Sequence, residues 1–394
     1  MTGYPVIGLH GGIMANHPFV TMTKPTGSFC NMRCRYCYYL NADNGETFER
    51  IRMNPELLER YISDYIQSTK EDVVSFTWHG GEPTLAGLDF YEEVVRLQKK
   101  YLPKEKTCWN NIQTNGLLID EKWCEFLKRE KFDIGVSIDG TRFVHDLYRV
   151  DVNEDGTYTR VKKAVELLEK YGIHPDLLCT VTEDTANAAR SVYASLRSFR
   201  SGWIQFIPIV RYNEDGSTTE DSVTPGSYGR FLKEVFQEWI THDLGRLNVQ
   251  IFAETALVLS GRKANVCWFS ETCGNVLIVE RDGSVYACDH FVDQKHKLGN
   301  ITDTSLSELA DHPFQQAFGE EKKNIAEKCK TCPYEFICHG GCPKDRHSQT
   351  REYYLCDGLF TYFEYAVPLL RKAMIWSQER KTPAEIMKRI REEE

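Results

Sequence analysis

The stretch FCNMRCRYCYY, residues 29–39, places three cysteines in a C-x3-C-x2-C spacing. They are Cys30, Cys34 and Cys37, and the stretch offers no fourth ligand nearby. A structural metal site is normally saturated by four protein ligands, whereas a catalytic metal site keeps one coordination position open. The spacing therefore predicts a metal site with a vacancy.

An apolar, β-branched run directly precedes these cysteines, and it is the first of six strand-like segments that alternate with helix-like ones. The predicted strands are 19–26, 72–81, 107–116, 133–140, 175–183 and 203–210. The predicted helices are 54–69, 89–102, 120–130, 159–172, 186–198 and 228–243. This alternation predicts an α/β fold with a parallel sheet, either an open doubly wound sheet or an incomplete barrel. Beyond about Gly261 the alternation ends, so a domain boundary is expected there.

Length and composition limit the class of protein. The chain has 394 residues, more than the ~250–300 that one core usually holds, so two domains are expected. The net charge of -9 argues against a nucleic-acid or anionic-membrane surface as partner. Because the sequence shows neither a signal peptide nor a run near the ~18 apolar residues of a membrane span, a cytoplasmic protein without membrane partners is expected.

The chain has fourteen cysteines, and cytoplasmic thiols are kept reduced, so metal ligation is expected rather than disulfides. Cys108, Cys124 and Cys179 lie alone in the sequence and are predicted to be buried apolar side chains. The remaining eight crowd the last third of the chain: Cys267, Cys273, Cys288, Cys329, Cys332, Cys338, Cys342 and Cys356. These eight predict further metal sites.

Short motifs follow the next three predicted strands. GGEP, residues 80–83, ends the second strand, QTNG, residues 113–116, ends the third, and Ser137 and Asp139 close the fourth. Parallel α/β proteins build their sites at the carboxyl ends of the strands. The motifs and the three cysteines are therefore predicted to meet on one rim.

Spacing alone leaves the metal open. A [4Fe–4S] cluster on three thiolates would leave one iron free for substrate or cofactor. The alternative is zinc, held by the C-x2-C pair Cys34 and Cys37 with Cys30 and a distant histidine. The eight later cysteines suit two fully ligated clusters or a pair of zinc knuckles with His339 or His347 as extra ligands. Spacing does not decide how the eight are paired.

The C-x3-C-x2-C spacing, with aromatic Tyr36 before the last cysteine, resembles the signature of the radical S-adenosylmethionine (SAM) superfamily, and GGEP resembles its motif for the SAM amino group. This resemblance implies a [4Fe–4S] cluster on the three cysteines, with SAM on the open iron. Cleavage of SAM then yields a 5'-deoxyadenosyl radical, which abstracts a hydrogen atom from the substrate. The implied SAM-binding residues are Tyr36, Gly80, Gly81, Glu82, Ser137 and Arg149.

The eight C-terminal cysteines resemble the SPASM extension of radical SAM enzymes, which implies two auxiliary [4Fe–4S] clusters and three clusters in all. Family pairing would join Cys267, Cys273, Cys288 and Cys342 on one cluster, and Cys329, Cys332, Cys338 and Cys356 on the other. The implied architecture is an N-terminal extension (1–20), a partial (β/α)6 TIM-like barrel (21–261) and a SPASM domain with a C-terminal helix (262–394).

Within that group, HGGEPTLAGLDFYE, QTNGLLIDEKW, GVSIDG, GSVYACDHFV and LGNI resemble anaerobic sulfatase-maturating enzymes. The resemblance implies oxidation of Cys or Ser in a Cys/Ser-x-Pro-x-Arg motif to Cα-formylglycine by hydrogen abstraction at Cβ. An Asp directly after the cluster cysteine is usual in that family, which implies Asp289 as the catalytic base. The implied partners are an unfolded or nascent sulfatase and an electron donor such as ferredoxin or flavodoxin.

Two other functions remain open. A SPASM maturase that cross-links or epimerises a ribosomal peptide often carries an N-terminal leader-binding domain. Only 29 residues precede Cys30, fewer than the ~40 usually needed to fold alone, which disfavours this reading. A non-catalytic electron-transfer protein with several clusters would explain neither GGEP nor the three-cysteine site.

Overall fold

The structure, a computed structural model, describes residues 14–41 and 52–393. Residues 1–13 of the predicted N-terminal extension lie outside the described residues. The chain forms two compact units from discontinuous segments: as far as these are described, the first comprises Met1–Phe29, Gly45–Asn111 and Gly274–Gly319, and the second comprises Cys30–Asn44, Ile112–Cys273 and Glu320–Glu394. The linear domain bounds at residues 20 and 261 stay predictions.

The described residues form ten strands and fourteen α-helices. The strands are β1 Val20–Lys24, β2 Val73–Trp78, β3 Thr107–Thr114, β4 Asp133–Ser137, β5 Asp176–Val181, β6 Trp203–Pro208, β7 Asn248–Val249, β8 Val276–Glu280, β9 Ser284–Tyr286 and β10 Lys297–Asn300. The helices are α1 Pro55–Ser68, α2 Leu88–Tyr101, α3 Glu121–Glu130, α4 Arg142–Tyr148, α5 Tyr158–Lys170, α6 Glu183–Asn187, α7 Ala189–Arg197, α8 Pro225–His242, α9 Gln250–Leu259, α10 Leu306–Ala310, α11 Pro313–Glu320, α12 Glu335–Cys338, α13 Cys356–Gln378 and α14 Pro383–Glu393.

All six predicted strand–helix units are present, which confirms the α/β class. The short helices α4 and α6 were not predicted, because fewer than eight residues show little of the 3.6-residue period. Each begins at a threonine cap: Thr141 accepts from the backbone N–H of Val144, and Thr182 accepts from that of Thr185. Such caps satisfy N–H groups that the first helical turn leaves without partners.

The first unit has the strand order β10-β9-β8-β1-β2-β3. Strand β1 pairs in parallel with β2 and with β8, while β8, β9 and β10 pair in antiparallel fashion. The register sets Lys24 beside Glu280, so the carboxyl ends of β1 and β8 lie side by side. The sequence had not placed a late strand beside β1.

Aromatic residues of α1 form the core of this unit against the sheet. Tyr61 meets Trp78 edge to face at 6.0 Å between ring centroids, and its hydroxyl lies 2.6 Å from the hydroxyls of Thr21 and Thr23. Thr21 and Thr23 alternate along β1, so both side chains point to the same face of the sheet. This contact fixes the strand that ends at Lys24.

The second unit has the strand order β3-β4-β5-β6-β7, of which β3 contributes its last residues, and β4, β5, β6 and β7 pair in parallel. Helix α13, which begins at Cys356, packs on α8 through a close contact of glycines. A Cβ placed on Gly358 would lie only 2.4 Å from the carbonyl oxygen of Pro225. The first turn of α13, with its cysteine, is therefore held tightly against α8.

In the described part of the chain, no helix combines the length and the apolar character needed to cross a membrane.

Candidate active site

The three-cysteine loop, residues 30–37, is fixed by backbone hydrogen bonds within the second unit. The N–H of Arg33 donates to the carbonyl of Val150 at 2.8 Å, and the N–H of Arg35 donates to that of Tyr148 at 2.9 Å. The loop thus runs alongside the chain that leaves α4. None of its three cysteines is in a disulfide, and all three are partly exposed.

The surroundings of these thiols suit a group that binds thiolates. The Cys30 sulfur accepts hydrogen bonds from the backbone N–H of Met32 at 3.3 Å and from Asn115 Nδ2 at 3.6 Å. Burial raises the pKa of the Cys34 thiol to about 11, although Arg149 opposes the rise. A coordinating metal deprotonates such a thiol outright, and N–H donors to sulfur are a recognised feature of iron–sulfur sites. The donor set fits an iron–sulfur cluster.

A buried ion pair lies behind the loop. Arg149 Nε donates to Asp139 Oδ2 at 2.7 Å, and the Tyr36 hydroxyl donates to the same oxygen at 2.7 Å. Asp139 is 1% exposed and also accepts from the backbone N–H of Thr180 at 2.8 Å. Burial opposes its ionisation, but the Arg149 guanidinium holds the pKa of Asp139 below its ordinary value. The SAM-binding roles of Tyr36 and Arg149 stay predictions, and both side chains are committed to Asp139.

We expect Asp139→Asn to lower the free energy of unfolding by about 3–5 kcal/mol, because it leaves the buried Arg149 without its counter-charge. Denaturant titration followed by circular dichroism measures the change. As a matched control, Arg96→Gln removes an exposed pair with Glu93, whose atoms are 2.7 Å apart, and should change the free energy of unfolding far less, because exposed pairs are screened by solvent. Equal effects of the two variants would show that the Asp139 pair contributes no more than a surface pair.

The glycine motif is locked against the chain that precedes Cys30. Gly80 has a positive φ of 115°. A Cβ on Gly81 would lie 2.2 Å from the carbonyl oxygen of Phe29, and the Glu82 N–H donates to that same oxygen at 2.7 Å. The Glu82 carboxylate is buried and accepts from Thr84 Oγ1 at 2.5 Å. Neither glycine could carry a side chain without moving residues 27–29.

We expect Gly81→Ala to weaken SAM binding by about tenfold or more, equivalent to about 1.4 kcal/mol, because the added methyl group must displace the backbone next to Cys30. Equilibrium dialysis of the reconstituted protein with labelled SAM measures the affinity. Gly202→Ala is the control, since a Cβ there would meet nothing within 4 Å. Unchanged affinity in Gly81→Ala would remove the motif from the SAM site.

Ser137 lies at the carboxyl end of β4, where its hydroxyl accepts from Gln113 Nε2 at 3.2 Å. Its contact with SAM stays a prediction, as does the meeting of the glycine motif with the three-cysteine loop.

Asp289 lies beside a buried lysine. Lys24 is fully buried, and its Nζ lies 2.7 Å from Asp289 Oδ1 and 3.1 Å from Glu280 Oε1. Burial opposes the charge, but Asp289 and Glu280 raise the pKa of Lys24 above its ordinary value. The Asp289 side chain remains 19% exposed. Its carboxylate therefore contacts a cation and is still accessible to solvent.

The sequence did not indicate Lys24 as a site residue, because it lies at the end of a predicted buried strand and belongs to no recognised motif. Its partners follow more than 250 residues later, and only the pairing of β1 with β8 brings them together. His79 adds a third group: burial lowers its pKa, Lys24 acts in the same direction, and Asp289 opposes both. The lowered pKa favours a neutral His79 imidazole, which is close enough to Lys24 and Asp289 for both charges to act on it.

A second group of cysteines lines a cavity of about 300 Å³ in the second unit. Its lining includes Cys329, Cys332, Cys338 and Cys356, with Phe360 and Phe363 among the apolar residues. These four cysteines are the ones that the family resemblance joined on one cluster. Four free thiols around one apolar cavity are a fitting donor set for a fully ligated cluster.

The spare histidines of the zinc alternative have other partners. His339 Nδ1 lies 3.2 Å from Glu335 Oε1, and His347 Nδ1 accepts from the backbone N–H of Gln349. Among the described residues, no three or more Cys, His, Asp or Glu side chains converge closely enough to hold a single metal ion. In a four-iron cluster each thiolate binds its own iron, so such convergence is not required.

A parallel α/β scaffold with a three-thiol loop, a glycine motif and a late cysteine cavity defines the class of radical SAM enzymes with auxiliary clusters. Two family models agree with that class: the radical SAM superfamily matches residues 25–187, and SPASM, an iron–sulfur cluster-binding domain, matches residues 267–333. A serine-type anaerobic sulfatase-maturating enzyme of Bacteroides thetaiotaomicron is 35% identical, over 95% of this chain and 96% of the relative. The chain belongs to the family of anaerobic sulfatase-maturating enzymes.

A cysteine-type enzyme of Clostridium perfringens is equally similar, at 35% identity over 90% of this chain and 97% of the relative. The solved structure of native anSMEcpe with bound AdoMet and Kp18Cys peptide matches with a TM-score of 0.83, covering 90% of this chain and 99% of that chain at 35% identity. Streptococcus suis SuiB, bound to its precursor peptide SuiA, shares the fold alone, at 14% identity and a TM-score of 0.61 over 86% of this chain and 75% of that chain. The predicted family and fold class are confirmed.

Proposed function

We propose that this protein oxidises a Cys or Ser side chain in a Cys/Ser-x-Pro-x-Arg segment of a sulfatase polypeptide to Cα-formylglycine. The observation that carries the proposal is the 35% identity, over nearly the full length of both chains, to a serine-type sulfatase-maturating enzyme. SAM and three [4Fe–4S] clusters are the cofactors, and a ferredoxin or flavodoxin is the proposed electron donor.

The chain's own residues have distinct tasks. Cys30, Cys34 and Cys37 would hold the first cluster, which together with SAM supplies the radical that abstracts a hydrogen atom from the target Cβ. The backbone at Gly80 and Gly81 would receive the methionine part of SAM. Eight later cysteines would hold the auxiliary clusters, with Cys288 grouped with Cys267, Cys273 and Cys342 by family resemblance.

The remaining task is removal of a proton. After losing one hydrogen atom from Cβ, the target must lose one electron, together with the proton of its hydroxyl or thiol, to become an aldehyde or a thioaldehyde. The thioaldehyde of a Cys target then takes up water and releases hydrogen sulfide to give the same aldehyde. Asp289 would accept that proton as general base, the electron passing to an auxiliary cluster. Lys24 would hold the Asp289 carboxylate in place through its 2.7 Å contact.

The test is a peptide assay without oxygen. The reconstituted protein is mixed with SAM, a reductant and peptides bearing Cys-x-Pro-x-Arg or Ser-x-Pro-x-Arg, and mass spectrometry follows the aldehyde. We expect formylglycine from at least one peptide. Vigorous SAM cleavage with no oxidation of either peptide would favour a peptide maturase of another kind.

We expect Lys24→Met to lower formylglycine production about tenfold or more while iron content stays intact, because Asp289 loses the group that holds it. Rates are compared with those of Lys70→Met, which removes an exposed lysine from the same unit and should have no effect. Iron analysis and circular dichroism accompany both variants. A wild-type rate in folded Lys24→Met protein would show that Asp289 works without this contact.

A further inference from the structure

A lysine is buried among the cysteines of the second unit. Lys322 is 0% exposed, and its Nζ donates to the backbone carbonyls of Cys267 at 2.8 Å, Trp268 at 3.2 Å and Ser270. In the described part of the chain, no Asp or Glu oxygen lies within the 4.0 Å of a salt bridge to this ammonium. Lys322 is therefore a buried cation solvated by carbonyl dipoles.

A second cation lies next to it. Arg346 is 9% exposed and donates to the carbonyl of Lys322 at 2.8 Å. Its other hydrogen bonds also go to backbone carbonyls, those of Gly340, Asn324, His339 and Gly341. These contacts fix the turn between Cys338 and Cys342, so Arg346 has an evident structural task in addition to its charge.

Thiols are the negative groups that act most on the charges of Lys322 and Arg346. Burial lowers the pKa of Lys322, and Cys273, Cys267 and Cys342 oppose that fall in this order. Burial likewise lowers the pKa of Arg346, and Cys273, Cys342 and Cys329 oppose that fall in this order. Lys322, which donates to the Cys267 carbonyl at 2.8 Å, is thus placed beside three of the four cysteines that family resemblance joins on one auxiliary cluster. Arg346 acts on two of these and also on Cys329 of the other set.

This placement has an electrostatic consequence. A buried cation without a counter-ion is costly, so a compensating negative charge is expected nearby. Four thiolates around an iron–sulfur core carry a net negative charge, and one-electron reduction makes it more negative. A fixed cation in a medium of low dielectric constant stabilises the more negative state more strongly, and net charge is one of the factors that set the potential of such a cluster.

We propose that Lys322 is a counter-charge of the auxiliary cluster that Cys267, Cys273 and Cys342 help to ligate, and that it raises the reduction potential of that cluster. That the substrate radical is the electron donor to this cluster rests on the proposed function. In that reaction the substrate radical gives up one electron, the oxidised cluster gains it, and Asp289 takes the accompanying proton. Arg346 adds a second positive charge, which acts on Cys273 and Cys342 and also on Cys329. Lys322 acts through the cluster, so it is a tuning residue rather than a catalytic one.

The test is a redox titration of the full-length, reconstituted protein, followed by electron paramagnetic resonance, on wild type and three variants. Lys322→Gln keeps N–H donors but removes the charge, and Lys322→Arg keeps the charge. Lys323→Gln is the matched control, because the adjacent Lys323 is 43% exposed and pairs with Glu320 at 2.7 Å. Iron and sulfide analyses establish that the clusters are present.

We expect Lys322→Gln to disfavour reduction of one auxiliary cluster about tenfold, which is about 59 mV for one electron. Lys322→Arg and Lys323→Gln should leave that potential within a small fraction of this shift. Loss of about four irons in Lys322→Gln, restored in Lys322→Arg, would also support a counter-charge at this position.

Two outcomes would overturn the proposal. One is an unchanged potential in Lys322→Gln protein of full iron content, and the other is equal loss of iron in Lys322→Gln and Lys322→Arg. Either would leave Lys322 with a packing role only. The potential is measured without substrate, so a failure to form formylglycine, which would count against the proposed function, leaves this result independent.

Discussion

Replacing Cys30, Cys34 and Cys37 together by alanine is expected to abolish SAM cleavage and to remove about four of about twelve irons per chain. The three-cysteine loop is held by backbone bonds to residues 148 and 150, so the loop should persist while its sulfurs are lost. Metal analysis and chromatographic assay of 5'-deoxyadenosine measure the two effects. The auxiliary clusters, which use other cysteines, should keep their iron.

Cys108→Ala is the matched control, since Cys108 lies alone on β3 and should hold no iron. Retained SAM cleavage in the triple variant would place the reactive cluster elsewhere. Zinc instead of iron in protein prepared without oxygen would contradict the assignment of all three clusters.

Asp289→Asn is expected to lower formylglycine production at least ~100-fold, within the ~10²–10⁴-fold range of a positioned general base. Asparagine keeps the shape of the side chain but cannot take up the proton of the substrate hydroxyl or thiol. SAM cleavage and iron content should stay near wild type, because neither depends on this proton. Mass spectrometry of the peptide and assay of 5'-deoxyadenosine separate the two reactions.

Asp293→Asn serves as control for that experiment. Asp293 lies four residues further along, is 51% exposed, and pairs with His296 at 2.8 Å. Turnover of Asp289→Asn at the control rate would exclude Asp289 as the base. Loss of iron in Asp289→Asn alone would instead assign Asp289 to support of the cluster loop.

Local sequence pattern was sufficient for the six strand–helix units. The start of helix α1, for example, is predicted by Asn54 directly before Pro55. In the structure the Asn54 side chain caps the helix by accepting a hydrogen bond from the N–H of Leu57 at 2.8 Å. The glycine motif could also be recognised from the sequence. Its residues Gly80 and Gly81 are required by backbone contacts that a side chain would obstruct. The helix cap depends on residues adjacent in the sequence, whereas the glycines are constrained by residues 27–29, more than fifty positions earlier, and were recognised as a motif only.

Contacts between residues far apart in the sequence could not be predicted from it. Lys24 and Asp289 are joined only through the parallel pairing of β1 with β8, and that register has no local signature. Arg149 was recognised as a candidate, but its burial against Asp139 depends on α4, a helix too short to show a period. Sequence therefore named Asp289, Arg149 and Asp139 singly and did not name Lys24, and the structure supplied their partners.

The cysteines show the same limit. Spacing indicated that Cys329, Cys332, Cys338 and Cys356 bind metal but not which of the eight share a site, and in the structure these four line one cavity. The burial of Lys322 could not be predicted from the sequence, because Lys322 precedes Lys323 in a run of charged residues that is typical of a solvated surface. Its burial follows from the carbonyls of residues 267–270, some fifty positions earlier.

The most direct test of the central claim is transfer of label from the target Cβ to SAM-derived 5'-deoxyadenosine. A Cys- or Ser-x-Pro-x-Arg peptide carrying deuterium at Cβ is incubated with the reconstituted protein, SAM and reductant, and both products are analysed by mass spectrometry. The account predicts one deuterium in 5'-deoxyadenosine for each formylglycine formed. Unlabelled 5'-deoxyadenosine, with the peptide deuterium retained in full, would contradict it.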